Sequence, residues 1–186
     1  MYFPTTPAFI HTGPWSDHTR AHPAMRWMES YTKNAVDARG WESNVPYSDW
    51  HTSDFTLYKA DGAVIHGGRE AWEEGFPSIY GPFEAHLHEP NFLACWETEE
   101  GWEMIGQARV CVDFRVRATE EEKMRDAGGR EWDCVTPAAF HFEYVRDGKA
   151  KNQGILLRRT HIFADSGPAL MRMLKVGQLK TQDLGL

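Results

Sequence analysis

Two histidines one residue apart, His86 and His88, are the first feature of this chain with the chemistry of a site. They lie in the run from Phe83 to Trp96, which reads as a long strand, and side chains two apart on a strand share a face. Imidazole titrates nearest neutral pH, so a pair on one wall points to proton transfer or to a metal. Neighbouring imidazoles depress one another's proton affinity, leaving one neutral base and one potential donor. A surface or hydrogen-bonded structural pair is the alternative. Tyr31 is a second candidate: it stands in an aromatic stripe, and a buried phenol must find a partner for its hydroxyl. Other chemistries have little support. No Gly-x-Ser-x-Gly occurs, no cysteine adjoins a histidine in sequence, and Gly67-Gly68 alone is too weak a signal for a phosphate loop.

These residues need elements to hold them. Residues 1 to 16 carry three prolines and read as an irregular arm. Pro23 marks the first turn of a helix in which Ala24, Trp27, Met28, Tyr31 and Ala35 recur at helical spacing. Arg26, Glu29, Lys33 and Asp37 take the other side, and the helix ends near Arg39-Gly40. A short helical break follows, holding Trp41, Tyr47, Trp50 and His51. Asp54 to Lys59 and Ala63 to His66 form a hairpin turned by Asp61-Gly62. After a short helix over Arg69 to Gly75 comes the histidine strand, then a strand from Trp102 to Arg117 with clean period-two alternation. Residues 118 to 131 are the most polar stretch and read as an exposed hairpin extension. Strands over Ala138 to Val145 and Gly154 to Phe163 precede a C-terminal capping helix at 168–176. On the first of these, His141 and Glu143 share one face, and Phe140, Phe142 and Tyr144 the other; the apolar set is the natural inward one.

The bulk properties agree with one domain spanning 1–186. Its charge of −7 and pI near 5.7 argue against a nucleic-acid partner. No apolar run is long enough for a membrane helix, and the N-terminus lacks a secretory pattern. Three scattered cysteines without CxxC spacing read as reduced packing residues of a cytoplasmic protein. Eight tryptophans supply core and pocket walls.

The order of elements is α+β, a curved sheet wrapped over a few helices. With the helix ending Ala38-Arg39-Gly40-Trp41, the Asp54-Phe55 hairpin, Gly67-Gly68-Arg69-Glu70-Ala71, and His86 followed by Asn91, the chain resembles the NTF2-like superfamily. Within it, the likeness is to the SnoaL-like and scytalone-dehydratase-like proteins, over roughly Pro23 to Phe163. The resemblance implies a cone whose curved antiparallel or mixed sheet encloses an apolar pocket, assembled as a homodimer or homotrimer. It also implies cofactor-free isomerase, cyclase or dehydratase chemistry. His86 matches by position the dehydratases' pocket histidine. Their second histidine falls at Ala108 and their Ser-x-Asn pair near Ala138 and Phe140, so that full apparatus is absent. Enzymes of this fold set a carboxylate or tyrosine where Asp54 stands.

The expectation is therefore acid–base chemistry on a small, apolar, oxygenated metabolite of polyketide or terpenoid type, with no cofactor. Asp54 pairs with His86, one or the other acting as the base, and His88 and Tyr31 assist. Trp27, Trp50, Tyr58, Tyr80, Ala108, Phe140 and Tyr144 line the pocket. A non-catalytic binding or scaffolding module is the alternative. Metal is the third reading: His86-x-His88 is cupin-like spacing, but that motif's glutamate and glycine spacing is missing and only His141 or Glu143 offers a third ligand, so no metal is expected.

Overall fold

The computed structural model describes residues 6–119 and 123–185. Met1 to Thr5 of the expected arm, and Glu120 to Glu122 of the expected hairpin extension, lie outside them. The elements are β1 (Ala8–Thr12), α1 (Asp17–Ala21), α2 (Pro23–Tyr31), β2 (His51–Tyr58), β3 (Val64–His66), α3 (Gly68–Glu70), α4 (Phe76–Tyr80), β4 (Phe83–Glu97), β5 (Gly101–Phe114), β6 (Met124–Arg125), β7 (Glu131–Trp132), β8 (Cys134–Arg146), β9 (Ile155–Ala164) and α5 (Gly167–Lys175). Seven strands form one mixed sheet in the order β1-β4-β5-β8-β9-β2-β3. Every neighbouring pair is antiparallel except β2 with β9, which is parallel.

The arm is the first departure from expectation. Ala8–Thr12 pairs with β4, Ala8 facing Trp96 and Thr12 facing Phe92, so it is an edge strand. Ser16 then caps α1 by accepting from the Thr19 amide, while Thr19 Oγ1 accepts from the Ser16 amide. Pro23 opens a second helix rather than the first. Pro7 and Pro14 flank the edge strand, where a missing amide proton leaves no ladder bond unmade.

Alternation sorts the sheet into two faces. Leu93, Met104, Phe142 and Leu157 point inward and are buried with α2, whose Trp27 indole donates to the Ile155 carbonyl at 2.9 Å. At about 25 cal/mol per Å², an aromatic of this size contributes several kcal/mol by burial. The outer face carries a row that crosses the whole sheet: Ile10, Ala94, Ile105, His141, His161, Tyr58 and Val64. The polar extension is tied down rather than loose on its β7 side. Asp133, fully buried, accepts from the Phe114 and Ala118 amides, and Trp132 is buried beside it. Among the described residues no helix is long and apolar enough to cross a membrane.

Candidate active site

Between the inner face and the helices lies a cavity of about 270 Å³. Met28, Tyr31 and Val36 line it from the first helices, Phe76 and Tyr80 from α4, and Ala108, Phe140 and Phe142 from the sheet. Its mouth is marked by the exposed residues Ala60, Asp61, Asp165 and Ser166.

A chain of polar contacts reaches this cavity from a residue the helical pattern assigned to the solvent side. After Tyr31 the helix widens into a π-turn over Thr32–Val36, and the Asp37 amide bonds to the Thr32 carbonyl at 2.8 Å, one residue beyond α spacing. The extra residue rotates Asp37 inward against β4. Its Oδ1 lies 2.7 Å from His88 Nδ1, and its Oδ2 accepts from the His88 amide at 3.3 Å. A carboxylate only accepts, so Nδ1 carries the proton and neutral His88 has a bare Nε2. That nitrogen lies 3.0 Å from the Tyr80 hydroxyl, which donates to it. Burial, and secondarily Asp37, hold the Tyr80 phenol above its ordinary range, so it serves as a hydroxyl and not as a phenolate. A proton arriving at His88 Nε2 reverses that last bond and releases the Tyr80 O–H toward the cavity. Asp37–His88–Tyr80 is thus a chain of hydrogen bonds with the geometry to pass a proton, ending at an apolar wall.

The backbone fixes this arrangement. Arg39 adopts φ of 53°, a left-handed helix stop, and its guanidinium bonds the Tyr80 and Phe83 carbonyls at 3.3 and 3.1 Å. Gly40 follows because a Cβ there would come within 2.9 Å of the Trp72 ring.

His86 has a different position. It is 4% exposed, does not line the cavity, and lies near-parallel to Tyr80 and Trp41 with centroids at 4.2 and 6.0 Å. Its Nε2–H donates to the Val36 carbonyl at 3.0 Å, while Nδ1 has no partner among the described residues. Burial, with His88 and Arg39 adding to it, pushes its pKa down to about 3. It is a neutral packing ring behind Tyr80.

Asp54 is exposed on the outer side of β2, since Phe55 and Leu57 take the inner face, and the expected Asp54–His86 pair does not form. Simple alternation around Phe55 carried that signal. Its place on the inner face is held by His51, which sequence reasoning passed over. His51 is 1% exposed and its Nε2 lies 2.8 Å from the Tyr31 hydroxyl. Of the expected wall, Tyr80, Ala108 and Phe140 line the cavity, as do the expected catalytic residues His88 and Tyr31. Trp27, Trp50 and Tyr144 do not; they form the aromatic cluster under Tyr31, with Trp27 stacked on it at 5.0 Å. Tyr58 faces outward against His161, at 5.2 Å. His141 and Glu143 also face outward, His141 bonded to Glu103 at 2.8 Å and Glu143 paired with Arg158 and Arg159, so neither supplies a third ligand. In α5, Met173 is buried against the sheet whereas Met171 is 67% exposed, so only Ala169 of this helix meets the cavity.

Asp37, His86 and His88 offer ligand atoms all within 4.8 Å of one another, the third ligand that the sequence hid. Two of the three are already bonded to each other, and the Arg39 charge stands nearby. The donor set has the number and type for a transition metal, but only His86 Nδ1 is unspent.

No described protein family matches the sequence, and no curated protein does. Solved structures do match. Aln2 from a Streptomyces species superposes with a TM-score of 0.57 at 16% identity, over 86% of this chain and 98% of that one. A protein assigned as a scytalone dehydratase from Novosphingobium aromaticivorans gives 0.56 at 13%, over 80% and 86%. The S. rosetta CaMKII hub gives 0.51 at 15%, over 77% and 95%. SnoaL-like and NTF2-like proteins stand among the other matches. The chain carries the NTF2-like α+β cone fold, as the order of its elements led us to expect.

Proposed function

We propose that this chain is a cofactor-free acid–base enzyme, an isomerase, cyclase or dehydratase acting on a small, apolar, oxygenated metabolite of polyketide or terpenoid type. The observation that carries the reading is the Asp37–His88–Tyr80 relay at the wall of a cavity of about 270 Å³. His88 Nε2 takes a proton next to a carbonyl or enol, Asp37 orients the ring and offsets the imidazolium charge, and the Tyr80 hydroxyl donates to the developing oxyanion. The likeness to cyclase- and dehydratase-assigned structures supports the class. Proton exchange of neutral cyclic ketones in heavy water, followed by NMR, tests it. Wild type exchanges the α-protons and His88→Ala does not, while still binding the ketone. Equal exchange by both proteins sinks the reading, and ligand binding without exchange by either leaves the binding module.

The ligand-atom cluster of Asp37, His86 and His88 favours a second reading, a mononuclear metal site. Stoichiometric zinc or iron that survives dialysis and is lost in Asp37→Ala selects it. For assembly we propose a cytoplasmic homodimer or homotrimer joined through the outer face, where Ile10, Ile105, Val64 and Phe163 are exposed. The hub likeness supports this; a monomeric mass by light scattering contradicts it.

A further inference from the structure

The relay leaves part of the cavity's hydrogen-bonding capacity unspent. Thr160 lines the cavity at 2% exposure, and its Oγ1 has no hydrogen-bond partner among the described residues. An unpaired buried hydroxyl costs about 1–3 kcal/mol, and a valine would fill the same space without that cost. Packing alone therefore does not account for it. On the helix side of the same cavity, the Tyr31 oxygen sits 2.8 Å from His51 Nε2. His51 Nδ1 makes no full hydrogen bond among the described residues, yet the Tyr47 carbonyl lies close enough to favour a proton on that nitrogen. Nε2 is then bare and accepts the Tyr31 O–H. The Tyr31 oxygen keeps its lone pairs for a ligand hydroxyl. Trp15, from the segment after β1, lines the cavity with an indole N–H that is likewise without a partner among the described residues.

The charge inventory narrows the ligand. The one lysine among the described lining residues, Lys59, sits at the mouth in an ion pair with Asp61 at 2.9 Å, and that lining contains no arginine. An anion entering the cavity would meet no free counter-charge there and would approach Asp37.

We propose that Thr160 and Tyr31, the latter held by His51, form a second binding pole for a hydroxyl of a neutral ligand that carries another oxygen at His88–Tyr80. Thr160 and Tyr31 determine specificity for that second oxygen, and His51 is a positioning residue. The inference rests on the cavity being a ligand site, as in the proposed function, but not on His88 being a base.

Calorimetric titration with a naphthol and with the dihydroxynaphthalene of the same ring system tests it. One extra hydrogen bond makes the diol bind about fivefold to tenfold more tightly. Thr160→Val and Tyr31→Phe each erase most of that preference while leaving the naphthol affinity within about twofold. His51→Leu behaves like Tyr31→Phe, and His51→Gln, whose carbonyl oxygen can still accept the Tyr31 O–H, restores the preference. His88→Ala retains it, so failure of the acid–base reading is read separately. The proposal is overturned by a preference that survives Thr160→Val, by equal weakening of both probes, or by no binding of either at millimolar concentration.

Discussion

The two faces of the sheet treat polar side chains in opposite ways. On the outer face, His141 bonds Glu103, and Glu143 holds Arg158 and Arg159, so the charges are mutually satisfied beside water. On the inner side the polar groups are few and buried, and several are unpaired among the described residues: His51 Nδ1, His86 Nδ1 and Thr160 Oγ1. Water alone could satisfy the outer set, whereas each inner orphan is a cost the fold carries continually. Of these three, Thr160 lines the cavity, so there the contrast places unspent hydrogen-bonding capacity in the cavity wall itself.

Acid should break the two faces apart most strongly. Burial holds the folded-state pKa of both His51 and His86 at about 3, against 6.5 in the unfolded chain. Between those values the unfolded chain binds the extra protons, so stability is complete above pH 6.5 and is lost as pH falls toward 3. Each unit of difference is worth about 1.4 kcal/mol per histidine, several kcal/mol for the pair. Urea midpoints across this range should fall steeply; a flat profile contradicts the neutral inner histidines.

Next in size is the loss of the relay. His88→Ala should lower turnover by about 100-fold or more, and Asp37→Asn should lower it in the same direction with little change in KM. Retained turnover in His88→Ala removes the relay from the chemistry. His86→Phe keeps the ring stack and loses the bond to the Val36 carbonyl, a cost of about 1 kcal/mol in a denaturation midpoint. Activity that vanishes in that variant without a stability change would return His86 to the site. The smallest effect belongs to the outer face, where His141→Ala, removing a partly exposed pair with Glu103, should change stability by under about 0.5 kcal/mol.

Much of this was legible in the chain. Alternation placed His86 and His88 on one face and turned Phe140 and Phe142 inward, and the element order pointed to the cone. What alternation does not carry is depth. His86 and His88 share a face, yet Trp41 and Tyr80 cover one and leave the other at the cavity, and only tertiary packing decides which. Asp37 was hidden for a sharper reason: period 3.6 sets it beside Lys33, and one π-turn moves it to the other side. For Asp54 the local signal was present and pointed outward, since Phe55 and Leu57 fix the parity of β2. His51 reads as part of the short helical break and Thr160 as an ordinary strand residue, because a missing partner cannot be seen in sequence. The strand in the arm was concealed by its flanking prolines, although an edge strand tolerates them.

The parallel seam between β2 and β9 has a consequence for how the chain acquires its site. His51 faces Leu157 across that seam, a pairing that spans more than half of the chain. Contacts of such separation carry a higher loop-closure cost than the shorter-range pairings β4–β5 and β5–β8 and are expected to form after them. The Asp37–His88 contact joins segments about fifty residues apart and can precede the seam. Tyr31, His51 and Thr160 come together only once the last strand has docked. A nascent chain that has not yet delivered Ile155 to Ala164 would hold a half-built chamber, its relay assembled and one side still open to water.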